Sequence, residues 1–481
     1  MKRRTFLKHS NCAALSSVGI LNSLVNLKMI GNVAAQTSGD TDFKAVVCLF
    51  LSGGNDSHNM LVPTDLDEFN NYLAIRSNLA LPAPGADAVP VPGSTTGAVI
   101  EALLPIDRQN STKTAANNDR SFAVNGSCSG LQSLFNSGDL AFVANVGTLV
   151  EPTTVAEYKA GSVQIPKSLF AHNTQQQEWQ TSIPQGGVTT GWLGRMADHM
   201  QSNYNTGDVS MNISLSGNNT MQVGGETMPF SISSSGSTVL EGTGSSGYDQ
   251  IRVTKTKSLM EETYKNLFTN SFASSSASNF SLNEDFAQIF DSTEFNAIFP
   301  DTGLGNELKA IAKTIASNSF LGHSRQTFFV EHGGYDMHTN LLEPHAMRLD
   351  EVDGAVTAFW NAIKELGLED KVLLFTASDF GRTLRSNGQG SDHAWGGHQF
   401  VLGGGVDGQK IYGSYPDTSE LTLGAGLDVG TNGRYLPTTS TDEYYAEIAQ
   451  WFGVSDTDIN EIFPNLANFS GNTPLDIMTT S

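Results

Sequence analysis

Short continuous apolar runs punctuate the chain at Lys44–Leu51 (KAVVCLFL), Leu140–Val146 (LAFVANV), Thr327–Val330 and Val372–Thr376. They are rich in Val, Phe and Leu and lack polar alternation, the pattern of strands buried on both faces of a parallel sheet. Between the last two runs, Leu349, Val352, Val356, Phe359, Ile363 and Leu366 recur at spacings of three and four, which marks one face of a helix. Strand, helix, strand predicts a βαβ unit with a right-handed crossover. Near the end, Thr441-Asp442-Glu443 opens a helix that runs through Tyr444–Phe452 and stops at Gly453. From about Tyr204 to Tyr248 the composition turns to Ser, Gly, Thr and Asn, which predicts short β-hairpins in an insertion spanning 203–283.

The residues that follow the predicted strands carry the chemistry. Lys44–Leu51 runs into Ser52-Gly53-Gly54-Asn55-Asp56, Thr327–Val330 into Gly333-Gly334-Tyr335-Asp336-Met337-His338, and Val372–Thr376 into Ser378-Asp379-Phe380-Gly381-Arg382. Open α/β sheets place their sites beyond the carboxyl ends of the strands, so these acids and this His are expected on one rim. Asp336 and His338 flank one residue, so in an extended loop they point the same way. His393 lies in the Gly-rich loop GQGSDHAWGGH, with Asp392 as a candidate orienter; His398, His332 and His345 are weaker candidates. Taken singly, Asp56 could shape a turn and Asp379 could cap a helix. Together, carboxylates and imidazoles form a mixed O/N set suited to one or two divalent ions, Zn, Mn, Mg or Ca, with no thiolate to favour softer metals.

The charge balance narrows the partners. The chain has 481 residues and a formal net charge of -22, and residues 1–35 hold five Lys/Arg and no Asp/Glu. The remainder therefore carries 22 basic against 49 acidic residues, a balance of -27 that repels nucleic acid and anionic membrane. MKRRTFLKHS, with Arg3-Arg4 ahead of a moderately apolar stretch ending at Val33-Ala34-Ala35, resembles a twin-arginine signal peptide over residues 1–35. Asn22, Asn26, Lys28 and Asn32 interrupt that stretch, so no stable membrane anchor is expected. The expected destination is the periplasm or beyond, reached through the twin-arginine export machinery. Cys48 and Cys128 remain after the signal; a disulfide and two buried thiols both stay open.

The motifs GGNDSHNMLVP, LFAHNTQQQEWQ, TGWLGR, HGGYDMH, SDFGRT and GSDHAWGGHQFVLGG appear in order behind that leader, and the chain resembles the DUF1501 family of exported bacterial proteins. The family is related to the alkaline phosphatase and sulfatase superfamily. The resemblance implies a doubly wound, mostly parallel α/β sheet over residues 42–470, with a two-metal site at its rim and a small anionic ester as substrate. It aligns Asp56, Asp336, His338, Asp379 and His393 with the superfamily's order of ligands, and makes His172 a further candidate. Two positions depart from the pattern. Phe380 stands where an imidazole is expected, and Ala171 where a nucleophilic hydroxyl is expected. Thr174 and Ser57 are then the substitute nucleophiles, with a metal-bound water as the alternative, and Arg382 is expected to steady the anionic group. No G-x-S-x-G occurs, which sets a serine-hydrolase elbow aside. Two readings follow: a metal-dependent hydrolase of a phosphate or sulfate ester, or a catalytically degenerate binding or structural protein that retains the fold.

Overall fold

Each of the four apolar runs is a strand in the computed structural model, which describes residues 43–479 apart from 92, 93, 95, 208, 238–246, 263–289, 291, 418–423, 472 and 473. The residues read as a signal peptide lie outside the described ones. In chain order the strands of the main sheet are β1 (Lys44–Leu51), β2 (Leu140–Gly147), β3 (Asn212–Ser214), β4 (Phe230–Ser233), β5 (Gly236–Ser237), β6 (Arg325–His332), β7 (Val372–Ser378), β8 (Gly397–Gly403), β9 (Ile411–Gly413) and β10 (Thr439–Ser440). Their spatial order is β5-β4-β3-β6-β1-β7-β8-β2-β9, with β10 also paired to β2. β1 lies between β6 and β7 and is parallel to both, in the registers Leu51↔His332 and Leu51↔Ser378. Pairing is parallel except at β8, which runs against β7 and β2, and at the β4–β5 edge. The protein is thus mixed α/β with a large, mostly parallel central sheet.

The strands show no alternation because both faces of the sheet are covered. Ala45, Val47, Leu49 and Leu51 of β1 pack into one core with Leu308, Ile311, Ile315, Val352, Val356 and Phe359. These come from helices α5 (Gly303–Ala316) and α6 (Leu342–Glu365). Val46, Cys48 and Phe50 point the other way, into a core with Trp192, Met196, Tyr445, Ile448 and Phe452, supplied by α4 (Trp192–Tyr204) and α7 (Thr441–Phe452). Each large side chain so buried contributes roughly 1.5–3 kcal/mol, so the central strands are the most strongly specified part of the chain. α7 starts at a capping box of Ser440 and Glu443 and ends at Gly453 in the left-handed region.

The predicted helix between the last two apolar runs is α6, but it does not join adjacent strands: β1 is inserted between β6 and β7. The Ser/Gly-rich stretch also differs from expectation. It supplies β3 and β4, both parallel members of the main sheet, and among its described residues only β4 and β5 form a hairpin; residues 208, 238–246 and 263–283 of it lie outside the described ones. Cys48 and Cys128 are both buried and free. Among the described residues no helix is long and apolar enough to cross a membrane.

Candidate metal centre

Sheet topology determines which loops can meet at the rim. β1, β6 and β7 are parallel neighbours, so the segments after Leu51, His332 and Ser378 emerge side by side. β8 runs the opposite way, so it is the residues before Gly397 that reach the same rim, and these include His393. β2 again runs with β7, and the chain beyond it leads to helix α3 (His172–Thr181), which begins with His172. Close approach of these loops depends on glycine. Gly53 has φ +112°, and a Cβ there would lie 2.5 Å from the Asp336 backbone nitrogen.

Three imidazoles face one carboxylate. His172 Nε2 lies 3.3 Å, His338 Nε2 3.1 Å and His393 Nε2 3.3 Å from Asp336 Oδ1. The other nitrogen of each ring is committed to an acceptor. His172 Nδ1 lies 2.7 Å from Asp379 Oδ2, His338 Nδ1 3.3 Å from Asp392 Oδ1, and His393 Nδ1 2.7 Å from the Phe170 carbonyl. An acceptor stands opposite each Nδ1, so a ring that carries its proton there turns its Nε2 lone pair toward Asp336. His338 Nε2 and His393 Nε2 are only 2.9 Å apart. Two lone pairs at that separation repel unless a proton or a cation lies with them. Ligand atoms of His172, Asp336 and His393 all fall within 4.8 Å of one another, the spacing of a metal site.

Each supporting group has a traceable origin. Asp379 is fully buried; its Oδ1 accepts from Gly53 N–H (3.1 Å) and its Oδ2 from Gln176 Nε2 (3.1 Å) as well as from His172. It stands behind His172 rather than beside Asp336, and no helix follows it to be capped. Arg382 is also fully buried, donating to the Gly54, Ser391 and Gly53 carbonyls and to Asp336 Oδ1 (2.5 Å). It is tied to the Asp336 carboxylate rather than turned out toward a ligand. The Phe380 ring packs against His172 and His393 at centroid distances of 4.8 and 4.5 Å, an apolar wall where an imidazole was expected.

Two expected members are elsewhere. Asp56 is buried in an ion pair with Arg76 of α1 (Leu66–Arg76), a guanidinium that also reaches Asn59 and the Thr383 and Leu384 carbonyls. Thr174 lines a separate 110 Å³ cleft with Lys167, Gln177, Glu178 and Thr181. Ala171 precedes α3 and offers no side-chain cap. Ser57 is also buried and accepts from the His398 backbone N–H (2.9 Å), while His398 itself stacks on Tyr415 within the core. His332 pairs with Glu351 and His345 with Asn55. Gln176 joins the site through Asp379, and the signal for it is its position four residues after His172, on the same helix face. The Phe170 carbonyl has no side-chain signature; Phe170 holds φ +69°, in the left-handed region.

The electrostatics fit a cation-binding point. Burial raises the Asp336 carboxyl, but the hydrogen bond and charge of Arg382, helped by His172 and His393, outweigh it and hold the group at about 2. The hydrogen bond to Asp379 raises the His172 imidazole. Burial lowers His393, with the charges of Arg382 and His172 acting in the same direction. The site thus favours an ionised Asp336 carboxylate and an uncharged His393 ring.

A family profile described as "Protein of unknown function (DUF1501)" matches residues 43–463. No curated protein matches the chain. Among solved structures, the chain is similar to Ps i-CgsB in complex with k-i-k-neocarrahexaose, at 10% identity and a TM-score of 0.34, over 89% of this chain and 77% of that one. PsFucS1 sulfatase from Pseudoalteromonas sp. is similar at 10% identity and a TM-score of 0.32, over 91% and 72%. The lipoteichoic acid synthase LtaP from Listeria monocytogenes is similar at 10% identity and a TM-score of 0.30, over 94% and 99%. Likenesses at this level assign the chain neither a substrate nor a reaction.

Proposed function

The chain belongs to the DUF1501 family, matched over residues 43–463, and on that premise we propose that it is an exported, metal-dependent hydrolase of a phosphate or sulfate ester. The observation that supports this reading best is the convergence of three Nε2 atoms on Asp336 Oδ1 with every Nδ1 already committed. His172, Asp336, His338 and His393 would hold the ion. Three imidazoles with one carboxylate suit Zn or Mn, whereas Mg and Ca favour all-oxygen cages. One ion is the better count than two, because Asp56, a member of the expected ligand set, is paired with Arg76 instead.

A divalent ion held by these residues would supply Lewis acidity toward an ester oxygen and a water molecule. The protein's own groups do the positioning. Asp379, Asp392 and the Phe170 carbonyl hold the three rings in the tautomer that leaves Nε2 free. Arg382 anchors the Asp336 carboxylate. The first turn of α3 has no side-chain cap, and its N–H groups start at His172, where the helix dipole favours negative charge. With Ala171 lacking a hydroxyl, Thr174 in another cleft and Ser57 buried against the His398 backbone, the nucleophile would be water. Delivery by the twin-arginine machinery to the periplasm or beyond belongs to the same proposal.

The second reading, a binding or structural protein without turnover, is favoured by Ala171 and by Phe380 at the wall of the site. Elemental analysis of protein purified without chelators, followed by a screen of phosphate and sulfate esters, separates the two. One equivalent of Zn or Mn per chain with ester turnover is expected. Metal without turnover would favour the binding protein, and a folded sample unable to take up metal would refute the site.

A further inference from the structure

A second guanidinium borders the centre, and its condition is opposite to that of Arg382. Arg434 is half-buried and carried on a loop that Asp428 organises: that buried carboxylate accepts from the Gly424, Gly430, Gly433 and Arg434 N–H groups. Arg434 Nε donates to the His393 carbonyl at 2.8 Å, and the guanidinium carbon lies 4.6 Å from the centroid of the Phe170 ring. The carbonyl of this same Phe170 holds His393 Nδ1. The charge of Arg434 is also felt at Asp392, the carboxylate against His338. The guanidinium is therefore fixed among the supports of two of the three imidazoles. Its two terminal nitrogens donate no hydrogen bond among the described residues, whereas all three guanidinium nitrogens of Arg382 are engaged.

We propose that Arg434, rather than Arg382, is the residue that binds the negative charge of the ligand, presenting both Nη groups to two oxygens of a tetrahedral oxyanion at the metal centre. A planar fork matches two oxygens of a phosphate or sulfate group, and charge-assisted bonds of this kind are among the stronger ones. Because Nε and the ring face are already engaged, little side-chain freedom remains to be lost when the anion arrives. The inference rests on the metal-centre reading above and adds to it the residue that holds the anionic group.

The test measures two affinities separately: zinc by chelator competition, and inorganic phosphate by titration of the zinc-loaded protein. Wild type, Arg434→Gln and Arg434→Lys are compared. Arg434→Gln is expected to keep its zinc affinity and weaken phosphate by roughly tenfold to a hundredfold. Arg434→Lys keeps the charge without the fork and is expected to fall between. Equal phosphate affinity in all three proteins would overturn the proposal. So would loss of zinc from Arg434→Gln with phosphate affinity intact once zinc is restored at excess, since Arg434 would then only position His393. Failure of the underlying reading looks different: the wild type would take no zinc, yet still bind phosphate in an Arg434-dependent manner.

Discussion

Asp379→Asn is expected to turn the His172 ring from a metal ligand into a donor. Asp379 is fully buried and receives three donors: Gly53 N–H at Oδ1 (3.1 Å), and His172 Nδ1 (2.7 Å) and Gln176 Nε2 (3.1 Å) at Oδ2. An asparagine supplies one oxygen and one NH2. With the oxygen toward His172, the NH2 would oppose the Gly53 N–H, and an unsatisfied buried donor costs about 1–3 kcal/mol. With the oxygen toward Gly53, the NH2 faces His172, which can then accept only at Nδ1. The ring proton moves to Nε2 and points at Asp336, where the metal would lie. Loss of such a supporting group typically weakens metal binding by about 10–100-fold, which is roughly 1.4–2.8 kcal/mol. Zinc affinity by chelator competition reads the effect, and 15N NMR of the imidazole nitrogens reads the tautomer directly. A folded Asp379→Asn protein with unchanged zinc affinity and Nδ1 still protonated would refute the tautomer argument.

Other perturbations separate the roles of the remaining groups. Asp336→Ala should lower both zinc content and melting temperature; the buried Arg382 loses one acceptor, a cost of about 1–3 kcal/mol that falls toward the low end because the Asp336 side chain is 48% exposed. Unchanged values for both would remove Asp336 from the centre. Asp56→Asn should destabilise the fold by roughly 3–5 kcal/mol, since the Arg76 charge is left buried without its partner, while zinc content stays the same. Loss of zinc there would restore Asp56 as a ligand. Glu178 concerns stability alone. Burial pushes its carboxyl up to about 9, so between the ordinary carboxylate range and that value the folded chain holds a proton that the unfolded chain has released. Stability is therefore lost as pH rises through this window, by up to about 1.4 kcal/mol per pH unit. Glu178→Gln removes this titration, so its melting temperature should gain on the wild type between pH 5 and pH 8; a constant difference would show that Glu178 is ionised in the fold.

Local pattern alone determined the parts of this protein in which local physics is sufficient. β1, β2, β6 and β7 were legible because only a strand covered on both faces is apolar without alternation. α6 and α7 were legible because periodicity and terminal signals are written within a few residues of one another. The acids and histidines after those strands were legible as a set for the same reason. Tertiary structure decided how that set divides. Whether an Asp binds metal or an arginine depends on what long-range packing brings opposite it. Arg76, twenty residues after Asp56, takes that acid out of the centre, while Arg382 holds Asp336 in it. Asp379 is engaged by the His172 ring, which arrives on α3 from more than two hundred residues earlier in the chain. The antiparallel direction of β8 carries His393 to the rim, and the carbonyl that orients its ring belongs to Phe170, a residue whose side chain gave no hint of the role. Residue type and spacing name the donors available. Only the three-dimensional placement of acceptors and countercharges fixes which lone pairs remain free.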